Sequence, residues 1–159
     1  PSRPPMPLSP SDESAIFAGI DRFIALVRDV ARITPADGED TPDLADRLIM
    51  WWARQPHDKR PSQAELTHAI GCAVGDFLYH VLEVWWEREP GAGEPEYTLF
   101  GKKRIKGVTQ SIRIHPVEDI RARWPENPQS PDDYANLIAE YMDELYEHEQ
   151  IRHFIAEGD

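Results

Sequence analysis

Residues 62–89, SQAELTHAIGCAVGDFLYHVLEVWWERE, read as one long helix delivering straight into a strand. Ser62, followed three residues later by Glu65, is the pattern of a capping box, which satisfies two orphan backbone donors of the first turn. At 100° per residue, Leu66, Ile70, Ala73, Val74, Phe77 and Val81 form an apolar arc. Gly71 and Gly75 sit together at its edge, with no side chain to hold a neighbour away, so a second helix is expected to cross there closely. His68, Cys72, Asp76, Tyr79 and His80 fill the polar sector. The residues that follow, Glu83-Val84-Trp85-Trp86-Glu87, alternate in period two and read as a strand with Val84 and Trp86 inward and Trp85 outward, near Phe100 or Thr98.

Working outward, residues 96–104 and 108–114 read as two further strands joined by a tight turn at Lys106-Gly107. Their short connections predict an antiparallel meander. On the N-terminal side, Ser11 is the expected cap of a helix running to about Ile33, with Ile16, Ile20, Phe23, Ile24, Val27 and Val30 on its apolar face. Thr41 and Pro42 are expected to open a second helix, which Pro56 stops near Gln55. Residues 117–124 suggest a short helix. Ser130 and Pro131 then start a long C-terminal helix reaching about Ala156, with Tyr134, Leu137, Ile138, Tyr141, Leu145, Ile151 and Ile155 as its stripe. The expectation is an α+β fold. A three-stranded antiparallel sheet packs against the central helix, with two N-terminal helices and one long C-terminal helix completing the core.

Length suits one domain over residues 11–159, preceded by a proline-rich extended arm at 1–10. Met6 is a candidate natural start, which leaves residues 1–5 as an addition. One cysteine, Cys72, excludes an internal disulfide and fits a reducing, cytoplasmic compartment. No run of apolar residues approaches a membrane span. Basic residues are 13 Arg against four Lys, a bias that suits a GC-rich bacterial genome.

The net charge of −12 bounds partners. It disfavours nucleic acid and anionic membranes and favours a basic protein partner. Residues 131–159 hold nine acids and one base, Arg152, and so carry −8 of that charge. Glu140, Asp143, Glu144 and Glu147 are therefore candidate binding residues, as is Trp85 if it lies on an open sheet face. Proline-rich or C-terminal segments covering Trp85 are the plainer alternative. Lys102-Lys103-Arg104-Ile105-Lys106 gathers three of the four lysines. Lys102 and Lys103 are either an anion or acidic-peptide site, or the internal complement of the acidic helix at a protected strand edge.

Chemistry has one candidate location. His68, Cys72, Asp76 and His80 are spaced four apart on one helix face, where His68 can stabilise a thiolate and Asp76 can orient His80, or the same groups can ligate a metal. His68 and His80 are roughly 18 Å apart along the axis, so the four cannot act at one centre. The bland reading is a half-solvated face around a small buried thiol. Glu144 with His148 and Glu149 with His153 lack the Glu-x-x-His spacing of di-iron bundles and read as solvated surface. No cofactor motif is present. The helix bearing Gly71 and Gly75, the tryptophan strand, the two strands after it and the segment Pro116-Val117-Glu118-Asp119-Ile120 together resemble an uncharacterised bacterial domain family over residues 69–123. That family carries no assigned activity, so the resemblance implies architecture alone. The leading expectation is a non-enzymatic protein-binding domain of regulatory or immunity type. The alternative is a small hydrolase or metal-dependent enzyme working from the polar face of the central helix.

Overall fold

The computed structural model describes residues 6–156; residues 1–5 of the arm and the acids at 157 and 159 lie outside the described residues. The fold is α+β, a three-stranded antiparallel sheet packed against helices.

Helix α1 (Pro10–Ala25) begins before the expected cap. Ser9, not Ser11, closes a box with Asp12: the Asp12 N–H donates to Ser9 Oγ at 3.1 Å and the Ser9 N–H to Asp12 Oδ2 at 2.9 Å. Pro10 takes the first position, where its missing N–H costs nothing, so capping is complete ahead of Ser11. Past Ala25 the helix widens into a π-helical stretch (Leu26–Val30), ended by Arg32 in the left-handed region at φ 55°. Helix α2 (Thr41–Arg54) is likewise capped one residue early. Asp40 accepts the Asp43 N–H at 3.0 Å, leaving Thr41 as the first helical residue.

Helix α3 (Gln63–Val81) is the centre. Ser62 accepts the Glu65 N–H at 3.1 Å, but only half the expected box forms, because the Glu65 carboxylate instead takes Arg22 of α1 at 2.6 Å. Its burial exceeds the predicted arc: Ala69, Gly71, Cys72, Gly75 and Leu78 are buried as well, since neighbours pack on several sides. An added Cβ at Gly19 would stand 2.8 Å from Cys72 Cβ, which marks the close approach of α1 to α3. At Gly71 it would stand 2.7 Å from the Cα of Val117, in α4 (Pro116–Ala122), so a helix does cross there. At Gly75 the neighbours are the Trp86 indole and Pro116, the first residue of α4, so an aromatic ring shares with the crossing helix the space the glycine leaves.

The sheet runs β1 (Trp85–Arg88), β2 (Tyr97–Ile105) and β3 (Val108–Ile114), with Trp85 opposite Phe100 and Leu99 opposite Ile114. Lys106 and Gly107, at φ 51° and 80°, make the predicted tight turn, both in the left-handed region a primed hairpin requires. The first strand starts later than its sequence alternation. Glu83 donates to the Phe154 carbonyl at 2.6 Å and Leu82 bridges Ile155, so the C-terminal segment takes the lead-in. Met6 forms an antiparallel bridge with Arg88, through two bonds of 2.7 Å.

The C-terminal helix is not continuous. A 3₁₀ turn (Pro131–Tyr134) precedes Asn136 at φ 58°, then come α5 (Leu137–Glu147) and the single turn α6 (Glu149–Arg152). Two contacts impose the break. Tyr134 is buried against Trp52 and Trp124, and Asp46 of α2 accepts the Ile138 and Ala139 N–H groups at 2.8 and 2.9 Å. Asp46 thereby caps α5 from across the fold, a role that Asn136 does not fill itself. Leu48, Ile70, Val74, Leu99, Ile114 and Phe154 belong to one apolar cluster that joins helices, sheet and C-terminal segment.

Candidate functional site

Trp86 divides the polar face of α3. On one side is a cavity of about 280 Å3 lined by His68, Cys72, Glu89, Tyr97, His115 and Arg121. On the other is a wider groove of about 640 Å3 lined by Phe17, Ile20, Asp76, Tyr79, Trp85 and Glu87. Trp86 lines both. The four polar-face residues are therefore split, with His68 and Cys72 on the cavity and Asp76 and His80 on the groove.

The first pair is not an activated thiol. Cys72 Sγ lies 3.7 Å from His68 Nε2, and Cys72 is 3% exposed. Burial pushes the thiol up to about 11. Partial burial, with Arg121 nearby, holds His68 below the ordinary imidazole value. At neutral pH both groups are uncharged, and a thiolate–imidazolium pair of the kind nucleophilic cysteines use is not formed. Asp76 and His80 approach at 3.6 Å on the exposed rim of the groove. Among the described residues no three His, Cys, Asp or Glu side chains converge as a metal site.

The same cavity holds a pair the sequence analysis missed. His115 Nε2 stands 3.2 Å from Glu89 Oε1, a carboxylate against an imidazole. These residues are 26 apart, and no local spacing marks them. The meander does, because β1 and β3 run the same way and deliver Glu89 and His115 to one end of the sheet. Tyr97, the first residue of β2, lies at that end too. Its hydroxyl donates to buried Asp12 at 2.8 Å, tying α1 to the sheet, and burial with that bond pushes the phenol up to about 12. The thiol that lines the same cavity is protonated and buried.

The groove is built differently. Phe17 on α1 is 60% exposed, Tyr79 on α3 43% and Trp85 on β1 42%. Trp85 points outward as its alternation predicts and meets Phe100 edge to face at 5.4 Å. Pro7 and Leu8 of the arm lie along the same groove without covering it. Glu13, Asp76 and Glu87 supply its charge.

The acidic candidates lie elsewhere. Glu140, Asp143, Glu144 and Glu147 are exposed on α5, and Glu144 pairs with Arg123 at the end of α4. The lysine turn does not meet their carboxylates. Lys103 binds Glu83 at 3.1 Å and the His153 carbonyl at 3.1 Å, while Lys102 faces solvent on the outer sheet face. Lys103 is thus tied to the strand lead-in and the C-terminal backbone, and the acidic face of α5 is left outward. Among the described residues no helix is long and apolar enough to cross a membrane.

No known protein family, curated protein or solved structure matches this chain.

Proposed function

We propose that this chain is a non-enzymatic protein-binding domain of regulatory or toxin-neutralising kind. Its contact face is the groove between α1, the end of α3 and β1. The observation that carries the reading is the gathering of Phe17, Tyr79 and Trp85, all exposed, in one concave surface. Large aromatics in a depression are the residues and the shape that dominate protein-interface energetics. A net charge of −12 adds steering toward a basic partner, and the outward acids of α5 extend that field. The enzymatic alternative has the His68–Cys72 cavity as its location, but burial there pushes the thiol up to about 11, away from the resting thiolate that nucleophilic cysteines use.

The test is affinity capture with the intact chain, repeated with Phe17→Ala and Trp85→Ala. A partner captured by the wild type should lose about 2 kcal/mol, roughly thirtyfold in Kd, when either hot-spot aromatic is truncated. A partner that binds both variants undiminished uses another face, and the groove reading fails.

A further inference from the structure

The charged lining of the groove has one sign. Glu13, Asp76 and Glu87 come from three different elements, and among the described lining side chains only His80 can carry positive charge, already beside Asp76 at 3.6 Å. Glu87 is the informative member. It lines the groove, yet its Oε2 is buried and accepts no hydrogen bond from any described residue. Directly across the sheet, Thr98 is 1% exposed and its hydroxyl is also unpartnered. A buried carboxylate oxygen without a donor costs more than almost any other polar defect, and a charged donor removes that cost most effectively. Beside it, Phe17, Ile20 and Trp85 leave apolar surface that water covers poorly.

Resting on the protein-binding reading above, we propose that the groove takes a partner segment in which a large apolar side chain is flanked by arginine or lysine. The apolar side chain seats among Phe17, Ile20 and Trp85. The cation lies against Glu13 and Asp76 at the rim, and the Glu87 carboxyl turns out to it from the buried position in which its Oε2 has no donor. Two features select this occupant over a neutral apolar segment. The carboxylates converge from α1, α3 and β1 with no basic residue among them but His80, and the missing partner of Glu87 is a donor. An acidic segment is excluded by like-charge repulsion.

The experiment is selection of random peptides displayed on phage, against the intact wild-type chain, Phe17→Ala, and the shape-conserving double variant Glu13→Gln/Glu87→Gln. Circular-dichroism melts first establish that the variants fold. Peptides enriched on the wild type should combine Trp, Phe or Leu with neighbouring Arg or Lys, and should bind both variants at least about tenfold more weakly. Their affinity for the wild type should also fall severalfold when salt is raised by about tenfold, since an ion pair at an open rim is screened. Enriched peptides that lose binding to Phe17→Ala but not to the double glutamine variant overturn the cationic occupant and leave the groove as a protein-binding face. A neutral or acidic consensus does the same. Peptides indifferent to Phe17→Ala, or no enrichment on the wild type above that on Phe17→Ala, overturn the groove itself.

Discussion

Two sets of three aromatic residues divide this molecule into a closed and an open region. Trp52, Trp124 and Tyr134 meet edge to face, with ring centroids 5.5 to 5.7 Å apart. The Arg60 guanidinium lies 3.6 Å over the Trp52 ring and the indole N–H donates to the Pro61 carbonyl at 2.7 Å. Those contacts pin α2, the end of α4 and the 3₁₀ turn before α5 to one another. Phe17, Tyr79 and Trp85 also come from three elements, yet their rings do not stack on one another: Trp85 meets Phe100 on the neighbouring strand and Tyr79 meets its sequence neighbour His80 at 5.2 Å. The same residue types are buried architecture in one place and unspent surface in the other. Hydrophobicity alone therefore does not tell core from site; what separates them is whether other elements close over the rings.

The largest expected effect lies in the closed set. Trp52→Ala removes the ring that both other aromatics and Arg60 contact, and should cost about 3–5 kcal/mol, read as a lower urea midpoint at unchanged slope. A loss below about 1 kcal/mol, on the scale of ordinary surface substitutions, would mean that the closed set does not hold the helices together.

Next comes the glycine edge of α3. Gly71→Ala already places a Cβ 2.7 Å from the Val117 backbone, which cannot swing aside as a side-chain tip can. Gly75→Leu drives into the Trp86 indole, the wall between cavity and groove. Each should cost about 1–3 kcal/mol by overpacking. Gly75→Leu should in addition change Trp fluorescence, because Trp86 must move. A melting temperature equal to wild type for both variants would show that α4 and β1 are not packed this closely on α3.

How much of this was legible follows from which contacts are local. The three strands, the Lys106-Gly107 turn, the outward Trp85 and most of each amphipathic face are encoded in spacings of two, three and four residues, and the structure has them, while Ile24, Val30, Val108 and Ile155 at the ends of those faces are exposed. Caps were displaced by a residue or two because Ser9 and Asp40 compete with Ser11 and Thr41, and proline at the first or second position favours the earlier residue. The interruption at Asn136 was not readable. The stripe through Leu137, Ile138 and Tyr141 continues past it, and its cause, Asp46, lies 92 residues away. Gly19 against Cys72 and Glu89 against His115 are invisible for the same reason: a contact between distant segments leaves no periodic trace in either. Of the four polar-face residues, spacing correctly brought His68 to Cys72 and Asp76 to His80. It could not reveal that Trp86 would stand between the pairs.

A smaller effect, lost only in acid, concerns the tie that holds α1 beside the groove. The Ser9 backbone N–H, then the Tyr97 and Ser9 hydroxyls, hold the Asp12 carboxyl below its ordinary value, against burial and with Arg88 assisting. A carboxylate with a depressed folded pKa contributes stability that is full above the unfolded value and is lost as pH falls through the folded one. Wild type should therefore exceed Asp12→Asn in stability at neutral pH, and the gap should close as the pH is lowered below the ordinary carboxyl range. Urea melts across that range check it. A gap independent of pH would assign the role of Asp12 to shape rather than charge.

The smallest expected change in stability belongs to the open set, and it sharpens the comparison most. Trp85→Ala removes a ring that is 42% exposed and whose one aromatic neighbour is Phe100. An edge-to-face pair contributes about 0.5–1.5 kcal/mol beyond its area, so the variant should lose about 1 kcal/mol, several times less than Trp52→Ala. Its effect on partner binding should run the other way, because a half-exposed tryptophan in a concave wall is placed to be completed by another molecule. The two variants thus make a crossed design, in which Trp52→Ala strikes folding and Trp85→Ala strikes recognition. Paired urea melts and affinity measurements on the same samples read both axes. Should Trp85→Ala unfold as easily as Trp52→Ala, the groove is an incompletely closed part of the core, and the division between the two aromatic sets disappears.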